Sequence, residues 1–195
     1  VQAAAARPKV IGLANAGADT ANCVKQAAEF GITRRGIKLA ALLLFVNDVN
    51  GIGLQTAQGL VCTESFYWNT NDKTRAWTQR IVRRTPTNYP NMIHAGCYSA
   101  ALHFLKTVAA MGVPAAKASG IDLINRMKAT PSEDDCFGRG VIRADGRRII
   151  PSFLFEVKSP AESRGPWDFY KLLQTTPAEE AFRPVGEGGC ALVRS

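Results

Sequence analysis

The segment VIGLANAGADTANCVKQAAEFGITRRGIKLAALLLFVNDVNGIGLQTAQGLVCTE, residues 10–64, decides the fold class of this chain. It opens on the apolar run 10–14 and breaks at the polar segment 15–19. Residues 20–30 then place apolar side chains at helical spacing, and Gly31 stands where a helix commonly stops in a left-handed residue. The order strand, polar loop and helix follows from this pattern.

The same pattern starts again after this helix. Residues 39–46, LAALLLFV, predict a second strand, which breaks at the polar segment 47–51. A short helix or turn within residues 53–60 then leads to a third strand at residues 59–63. Short strands that alternate with helices predict an α/β fold with a parallel sheet. In such sheets ligands bind in the crevice outside the carboxyl ends of the strands, where both polar segments are expected.

The middle of the chain is predicted to be helical. Asp72 is the expected N-cap of a helix over residues 74–84. The longest helical pattern runs over residues 91–111 and is closed by Gly112. Ser119 can cap one further helix.

The last part of the chain predicts strands and irregular structure. Residues 140–143 and 147–158 are expected to form a β-hairpin, because the Asp145-Gly146 pair suits a tight turn with positive φ. The tail from Ser159 contains several prolines and glycines, so it is predicted to be mostly irregular.

Composition and charge limit the possible functions. The chain has 195 residues, of which 46% are hydrophobic and 21% charged, as expected for an ordinary globular protein. Its apolar run 39–46 is far shorter than the roughly 20 residues of a membrane helix. With 24 Lys and Arg against 16 Asp and Glu the net charge is +8, but the basic residues are dispersed and no nucleic-acid partner is expected. The chain starts without an initiator Met or signal-peptide core, so we expect a mature, trimmed or excised segment.

The five cysteines form no CxxC pair and have no metal-like spacing. Cys23 and Cys62 lie in apolar surroundings and are expected to be small core residues. Cys136 and Cys190 lie in loop-like contexts and are candidates for a disulfide in an oxidising compartment.

No pattern in the sequence predicts catalysis. A GxSxG elbow, a P-loop and a GxGxxG motif are all missing. His94 and His103 are nine residues apart near or on the long helix, too far for a shared metal face, and the acidic run 133–135 is typical of a solvated loop. We therefore predict no enzyme, no cofactor and no metal. His94 remains a candidate for lining a cleft.

The two polar segments carry a different chemistry. Asn15, Ala16 and Gly17 precede a helix whose free backbone N–H groups and dipole favour an anion such as a carboxylate. Asp48, with Asn47 beside it, follows the next strand and is placed to accept hydrogen bonds from an ammonium or amide group. One loop for a carboxylate and one acid for an amine would suit an amino acid.

Both segments also have purely structural interpretations. Asp19 can act as a helix N-cap and nothing else. Asn47 and Asp48 can be turn formers, because Asn and Asp side chains bond to their own backbone in turns. Residue types and spacing alone leave these alternatives open.

Several stretches resemble one known family. GLANAGADT at residues 12–20, GLQTAQGL at 53–60 and HAGCYSA at 94–100 are similar to segments of the periplasmic substrate-binding proteins of branched-chain amino-acid ABC transporters. The resemblance continues through IRADGR, FEVK, GPWDFYKLL, AFRP and GGC at residues 142–147, 155–158, 165–173, 181–184 and 188–190. It covers nearly all of this chain, in order, and corresponds to the later part of the longer family chain.

The resemblance implies a type I periplasmic binding fold, in which two Rossmann-like lobes joined by three crossovers close on a solute. Residues 1–67 would then supply second-lobe strands and helices. Residues 68–140 would be a helical segment that returns to the first lobe, and residues 141–195 a hairpin and irregular tail that cross back. The N-terminal lobe would be largely missing from this chain.

In this family the second lobe supplies a contact after its strand ends, often an acidic residue for the ligand amine. By position that role falls to Asp48, with Asn47 and residues 15–19 beside it. His94 would face the cleft from the first lobe. The second loop departs from the best-known leucine-binding members, so the resemblance leaves amino acids, amides, keto acids and aromatic acids open as solutes.

The function implied by the resemblance is capture of a small amino acid or related carboxylate in the periplasm. The expected partners are ABC permease and ATPase subunits and the missing N-terminal half of the same protein. The alternative is a ligand-sensing receptor domain of the same fold in signalling or gene regulation.

Overall fold

A computed structural model describes residues 2–85 and 87–193 of the chain. In these residues eight α-helices are found: α1 (Gln2–Ala5), α2 (Gly17–Glu29), α3 (Val46–Ile52), α4 (Leu54–Ala57), α5 (Asp72–Val82), α6 (Met92–Met111), α7 (Val113–Ala118) and α8 (Gly120–Ala129). The strands of the same residues are β1 (Val10–Leu13), β2 (Lys38–Ala41), β3 (Val61–Glu64), β4 (Ser132–Asp134), β5 (Gly138–Ile142), β6 (Arg148–Ile149), β7 (Ser152–Val157) and β8 (Tyr170–Thr176). None of the described helices is long and apolar enough to cross a membrane.

The larger sheet has the strand order β1-β2-β3-β7-β8. Its first three strands are parallel, with Leu13 opposite Ala41 and Ala41 opposite Cys62, so their carboxyl ends lie at one edge of the sheet. Strands β7 and β8 continue the sheet in antiparallel pairing. The predicted α/β fold with a parallel sheet is therefore confirmed.

The core of the larger sheet is built from the periodic segments of the sequence. Val24 and Ala27 of α2 are buried in the same cluster as Leu39 and Ala41 of β2. Residues three apart lie on one face of a helix and residues two apart lie on one face of a strand, so both pairs face the same layer. The stop of α2 at Gly31 is confirmed, since this glycine has a left-handed φ of 62°.

The second strand is shorter than the sequence predicts. Strand β2 ends at Ala41, and residues 42–45 form an irregular link to α3, so the prediction of one strand over residues 39–46 is wrong. Leu44 and Val46 are fully buried although they are not in a strand. A short apolar run does not distinguish a buried strand from a link into a helix, and here burial explains only Leu44 and Val46.

The helical part consists of α5 to α8, of which α6 and α8 pack on the small antiparallel sheet β4-β5-β6. Helix α6 confirms the predicted long helix, and Gly112 follows it with a φ of 82°. Ser119 caps α8 as predicted, because its side chain accepts a hydrogen bond from the N–H of Asp122. Asp72 is not the N-cap of α5: the extended residue Asn71 takes that place and accepts from the N–H of Thr74 at 3.0 Å.

The predicted hairpin exists, but its second strand divides into two. Strand β6 pairs with β5 through Val141 and Ile149 and ends there. Strand β7 then begins at Ser152 and pairs with β3 in the larger sheet, with Phe155 opposite Cys62. Pro151 lies at the break, where a residue without an N–H group cannot continue the ladder.

The tail after Ser159 is mostly irregular, as predicted, but it also contains the strand β8, which the sequence did not predict. This strand pairs with β7 from Tyr170 opposite Val157 to Thr176 opposite Ser152, with one register shift at Leu173. The strand with which β8 pairs lies some twenty residues earlier in the chain. Leu172 and Leu173 are both exposed, so β8 lacks the regular alternation of apolar and polar residues that predicts a strand.

A cluster of aromatic side chains holds the segment before β8 against the link after β3. The carbonyl oxygen of Trp167 accepts hydrogen bonds from the Tyr67 hydroxyl at 2.9 Å and from the Trp68 indole N–H at 2.8 Å. The Tyr67 hydroxyl also accepts from the N–H of Phe169 at 3.1 Å. The ring of Tyr89 stacks on Trp167 at 5.3 Å with an interplanar angle of 8°. Trp167 has a φ of 66°, a strained value for a bulky residue that these contacts stabilise.

The predicted disulfide between Cys136 and Cys190 is not formed, and both thiols are free. Cys136 is buried in the second hydrophobic cluster, beside Phe66 and Trp77, whereas Cys190 lies in the irregular end of the chain. Of the two cysteines expected in the core, Cys62 is buried and Cys23 is only half-buried.

The aromatic cluster yields a stability prediction. Tyr67→Phe should lower the unfolding free energy of the 195-residue protein by about 1–2 kcal/mol, because the Trp167 carbonyl loses a buried donor and the N–H of Phe169 loses one of its two acceptors. Urea titration followed by tryptophan fluorescence measures the change. Tyr89→Phe, which keeps the ring that stacks on Trp167, is the control and should differ little from the wild type. Equal losses in both variants would contradict the assignment.

Candidate functional site

The first loop of the crevice joins β1 to α2. The amide of Asn15 fixes this loop, because its Oδ1 accepts from the Thr20 hydroxyl at 2.8 Å and its Nδ2 donates to the Cys23 sulfur at 3.2 Å. The N-cap of α2 is Ala16, whose side chain has no acceptor, so no side chain caps the helix. The first backbone N–H groups of this helix therefore point to the edge of the sheet without a capping side chain.

Gly17 and Asp19 complete this loop. Gly17 has a left-handed φ of 57°, which a residue without a Cβ adopts at no steric cost. Asp19 lies in the first turn of α2 and is exposed, so the interpretation of Asp19 as the N-cap is wrong. An acidic side chain in the first turn is favourable to the helix dipole.

The second loop brings leucines to the same edge. The N–H of Leu42 donates to the carbonyl oxygen of Leu13 at 3.2 Å, which places the end of β2 directly beside the first loop. Leu42 is 70% exposed and Leu43 is 36% exposed, whereas the next residue, Leu44, is fully buried. Sequence reasoning missed this pair, because residues 39–46 were interpreted as one buried strand.

Asn47 and Asp48 are not in a loop, as the sequence predicted, but in the first turn of α3. The reason is a local hydrogen bond: Oδ2 of Asp48 accepts from the backbone N–H of Phe45 at 2.8 Å. This contact satisfies a backbone donor at the start of the helix, and the negative charge suits the helix dipole. The structure thus gives Asp48 a capping role.

Asn47 and His94 are brought together by a third residue, Asn91. The Nδ2 of Asn91 donates to Oδ1 of Asn47 at 2.7 Å, and the Nδ2 of Asn47 donates to the carbonyl oxygen of Tyr89 at 3.1 Å. Asn91 is also the N-cap of α6, since its Oδ1 accepts from the N–H groups of Ile93 and His94. The start of the long helix is therefore tied to α3, beside the crevice.

Strand β3 ends in a buried acid, Glu64, which the sequence analysis did not single out. Glu64 is 1% exposed, and its Oε1 has no hydrogen-bond partner among the described residues. Burial raises the pKa of the Glu64 carboxyl from its ordinary value of 4.5 to about 8; the Tyr170 hydroxyl opposes the rise and Asp48 adds to it. The carboxyl therefore holds its proton at neutral pH. An acidic residue two positions after the apolar run 60–62 was the available signal.

The crevice is an open wall at the carboxyl ends of β1, β2 and β3. Cavities of about 510 and 540 Å³ lie elsewhere, at the amino ends of the strands, where both are lined by Gly36 and Ile37. In the described part of the chain, no group of three His, Cys, Asp or Glu side chains is placed to hold a metal ion. This wall offers two kinds of contact: the backbone N–H groups at the start of α2, and the exposed apolar side chains of Leu42 and Leu43.

The comparisons with known proteins identify the family and the fold of the chain. A family model described as periplasmic binding protein matches residues 1–165. The chain belongs to the periplasmic binding protein family. No curated protein matches the sequence.

Solved structures of periplasmic binding proteins have the same fold. A periplasmic binding protein from Burkholderia mallei is 42% identical, with a TM-score of 0.88 over 99% of this chain and 50% of its own. A branched-chain amino acid ABC transporter periplasmic ligand-binding protein from Burkholderia xenovorans is 33% identical, with a TM-score of 0.83 over 98% of this chain and 50% of its own. A Rhodopseudomonas palustris solute-binding protein in complex with 3,4-dihydroxybenzoic acid is 18% identical, with a TM-score of 0.74 over 91% of this chain and 47% of its own.

These comparisons confirm the type I periplasmic binding fold that the family resemblance implied. The chain spans about half the length of the proteins it matches, and its own α/β sheet and helical part account for that half. The division into residues 1–67, 68–140 and 141–195 between two lobes stays a prediction, as do the ligand-binding roles of Asn15, Ala16, Gly17, Asp19, Asn47, Asp48 and His94.

Glu64 yields a prediction about pH. The unfolding free energy of the 195-residue protein should fall as pH rises from 4.5 to about 8, because folded Glu64 keeps a proton that the unfolded chain has already released. One group contributes a slope of at most about 1.4 kcal/mol per pH unit. The stabilising contribution of Glu64 is complete below pH 4.5 and is lost above about pH 8.

The control is Glu64→Gln, which has the shape of the protonated side chain and does not titrate. Urea titrations at several pH values should give a flatter dependence for this variant than for the wild type. Parallel curves for the two proteins would show that Glu64 is ionised in the folded chain.

Proposed function

We propose that this chain forms one wall of the binding cleft of an extracytoplasmic solute-binding protein. The protein would capture a small carboxylate with an apolar body and deliver it to an ABC importer. One observation carries the proposal: the uncapped start of α2 opens at the carboxyl edge of the sheet beside two exposed leucines. Family membership supports it, because the family model that matches the chain describes periplasmic binding proteins.

The carboxylate would lie at the start of α2. The first N–H groups of a helix have no intrahelical acceptor, and the dipole favours a negative charge there. Ala16 offers no oxygen that would compete with a bound carboxylate, and the Asn15 amide holds the loop in place through Thr20 and Cys23. A carboxylate at a helix N-terminus is a common arrangement for anion binding.

The apolar body of the solute would lie against Leu42 and Leu43. These side chains follow β2 at the same edge, and Leu42 is joined to the end of β1 through its N–H. Burying apolar area of the solute against them contributes about 25 cal/mol per Å². Branched-chain amino acids, keto acids and aromatic acids all combine a carboxylate with such a body.

Asn47, Asp48 and His94 would hold this wall in shape and not contact the solute. Asp48 uses one carboxylate oxygen for the N–H of Phe45, and Asn47 and His94 both bond to Asn91. Their contribution to binding would be indirect, through the position of α3 and of the start of α6.

The whole protein would act outside the cytoplasm, in the periplasm, as the relatives' names state for those proteins. Its partners would be the permease and ATPase subunits of an ABC importer, and the half of the family chain that this chain does not match. ATP would be hydrolysed by the transporter, so no catalysis by this chain is proposed. The comparisons do not favour the alternative of a ligand-sensing domain.

A binding test needs both walls of the cleft. We define the two-lobed chimera as this chain joined to the part of the Burkholderia mallei relative that it does not match. A thermal-shift screen of amino acids, keto acids and aromatic acids should identify an acid that stabilises the chimera. The corresponding amide should give a much smaller shift, because it carries no negative charge for the start of α2. Equal shifts for acid and amide would argue against a carboxylate site.

Ala16 provides the residue-level test. Ala16→Asp should weaken binding of that acid at least tenfold relative to Ala16→Asn, because the two variants differ in one negative charge placed where the carboxylate would lie. Tenfold corresponds to about 1.4 kcal/mol. Isothermal titration calorimetry on the chimera measures both affinities. Matched affinities in the Asp and Asn variants would remove the start of α2 from the site.

Two substitutions of Asp48 distinguish a helix-capping role from a contact with the solute. Asp48→Asn keeps an acceptor for the N–H of Phe45, so the acid should bind with an affinity within about threefold of wild type. Asp48→Ala loses the cap and should lower the unfolding free energy by about 1 kcal/mol. A tenfold loss of affinity in the Asn variant, measured by the same calorimetry, would instead make Asp48 a solute contact.

A further inference from the structure

We propose that the surface at the amino ends of β1 and β2 is a docking surface for an anionic lipid bilayer. This surface, called the basic pole below, lies at the end of the sheet opposite to the solute crevice. Its basic side chains are Arg7, Lys9, Arg34, Arg35 and Lys38, all of them exposed. Its exposed aromatic side chain is Phe30. The inference goes beyond the proposed function and does not depend on which solute is bound.

The parallel pairing of β1 with β2 brings together two basic segments that are distant in sequence. Val10 lies opposite Lys38, and the N–H of Lys38 donates to the carbonyl oxygen of Lys9 at 2.9 Å. Residues 7–9 therefore lie beside the segment that contains residues 34–38. Basic residues that are dispersed along the sequence thus form a local excess of positive charge in the fold.

The basic side chains line two adjoining cavities. A cavity of about 510 Å³ has two of them in its lining and a cavity of about 540 Å³ has the other three, and both linings include Gly36 and Ile37. No acidic side chain of the described residues lines either cavity. Within residues 2–85 and 87–193, Lys38 has an ion pair with Glu156, and the other four basic residues have none. Their charge is therefore available to anionic groups outside the protein.

The end of α2 accounts for only part of this charge. Nη2 of Arg35 donates to the carbonyl oxygen of Phe30 at 3.4 Å, and a cation near the end of a helix suits its dipole. The Arg34 guanidinium packs over Gly31, at 3.2 Å from the place that a Cβ would take. The other three basic residues lie on β2 or before β1, outside the last turn of α2, so stabilisation of this helix does not explain them.

Phe30 favours a bilayer over a soluble anion as the partner. This side chain is 56% exposed, and its residue is bonded to Arg35 at the end of α2. Surfaces that bind anionic membranes combine Lys and Arg with exposed aromatic or apolar side chains that enter the headgroup region. A soluble anion would contact the charges alone and leave Phe30 in water. Contact through the basic pole would also leave the crevice, at the other end of the sheet, open to solute.

The test is co-sedimentation of the 195-residue protein with lipid vesicles, without solute. One set of vesicles contains equal parts of phosphatidylcholine and phosphatidylglycerol, and the other contains phosphatidylcholine alone. We expect binding to the anionic vesicles that is at least tenfold tighter than binding to the neutral ones, because each basic residue at an anionic surface contributes roughly a fivefold gain in affinity. Added salt should weaken this binding, because counterions screen the charges.

Two double variants with the same loss of charge locate the contact. Arg34→Gln with Arg35→Gln should weaken binding to the anionic vesicles at least tenfold, because two charges of the basic pole are lost. Arg83→Gln with Arg84→Gln, an exposed pair directly after α5, should bind as the wild type does. Far-UV circular dichroism checks that both double variants are folded.

Phe30→Ala is an independent variant that keeps every charge. It should weaken binding to the anionic vesicles at least about threefold, because less apolar area leaves water at the bilayer. The control is Phe104→Ala, which removes a 43% exposed aromatic side chain from α6, outside the basic pole, and should bind as the wild type does.

Three results would overturn the proposal. One is equal binding to anionic and neutral vesicles. Another is an equal loss in the two arginine pairs, since binding would then follow net charge and not this surface. The third is unchanged vesicle binding in Phe30→Ala together with displacement of the wild type by soluble oligoglutamate, which would assign the basic pole to an acidic polypeptide. Because no solute is used, each of these results leaves the proposed carboxylate site to be judged by its own experiments.

Discussion

The parallel pairing of β1, β2 and β3 is the constraint on which the rest of the structure depends. Because Leu13 lies opposite Ala41, and Ala41 opposite Cys62, three chain segments leave the sheet at one edge. The start of α2, the exposed pair Leu42 and Leu43, and the buried acid Glu64 are neighbours for this reason. No single segment contains the candidate site, and the register of the sheet brings its parts together.

The sequence predicts the fold well wherever the signal is local. Gly31 and Gly112 end their helices as expected, and each has the left-handed backbone that favours glycine. The sequence-based prediction fails where a strand pairs with a segment distant in sequence, or where apolar residues are buried without belonging to a strand. Strand β8 was missed because it pairs with β7 without a regular apolar alternation of its own. Residues 42–46 were assigned to a strand because their apolar run looks like one, although Leu44 and Val46 are buried outside a strand and Leu42 and Leu43 are exposed.

The candidate site could be predicted only in part, for a similar reason. The first loop follows from a polar break before an amphipathic helix, and the structure places Asn15, Ala16 and Gly17 at the edge of the sheet. Asp48 is an acid near a strand end by sequence, but a hydrogen bond to its own helix start engages it. Glu64 gave almost no signal, since its pKa is raised by burial, which residues distant in sequence bring about.

The central claim is that the start of α2 receives a carboxylate at the carboxyl edge of the sheet. The most direct measurement is amide hydrogen exchange of the two-lobed chimera, with and without the acid that stabilises it most. Binding should slow exchange of the N–H groups of residues 17–20, because the carboxylate accepts hydrogen bonds there. An acid that binds tightly, protects other parts of the chain and leaves residues 17–20 unchanged would contradict this account.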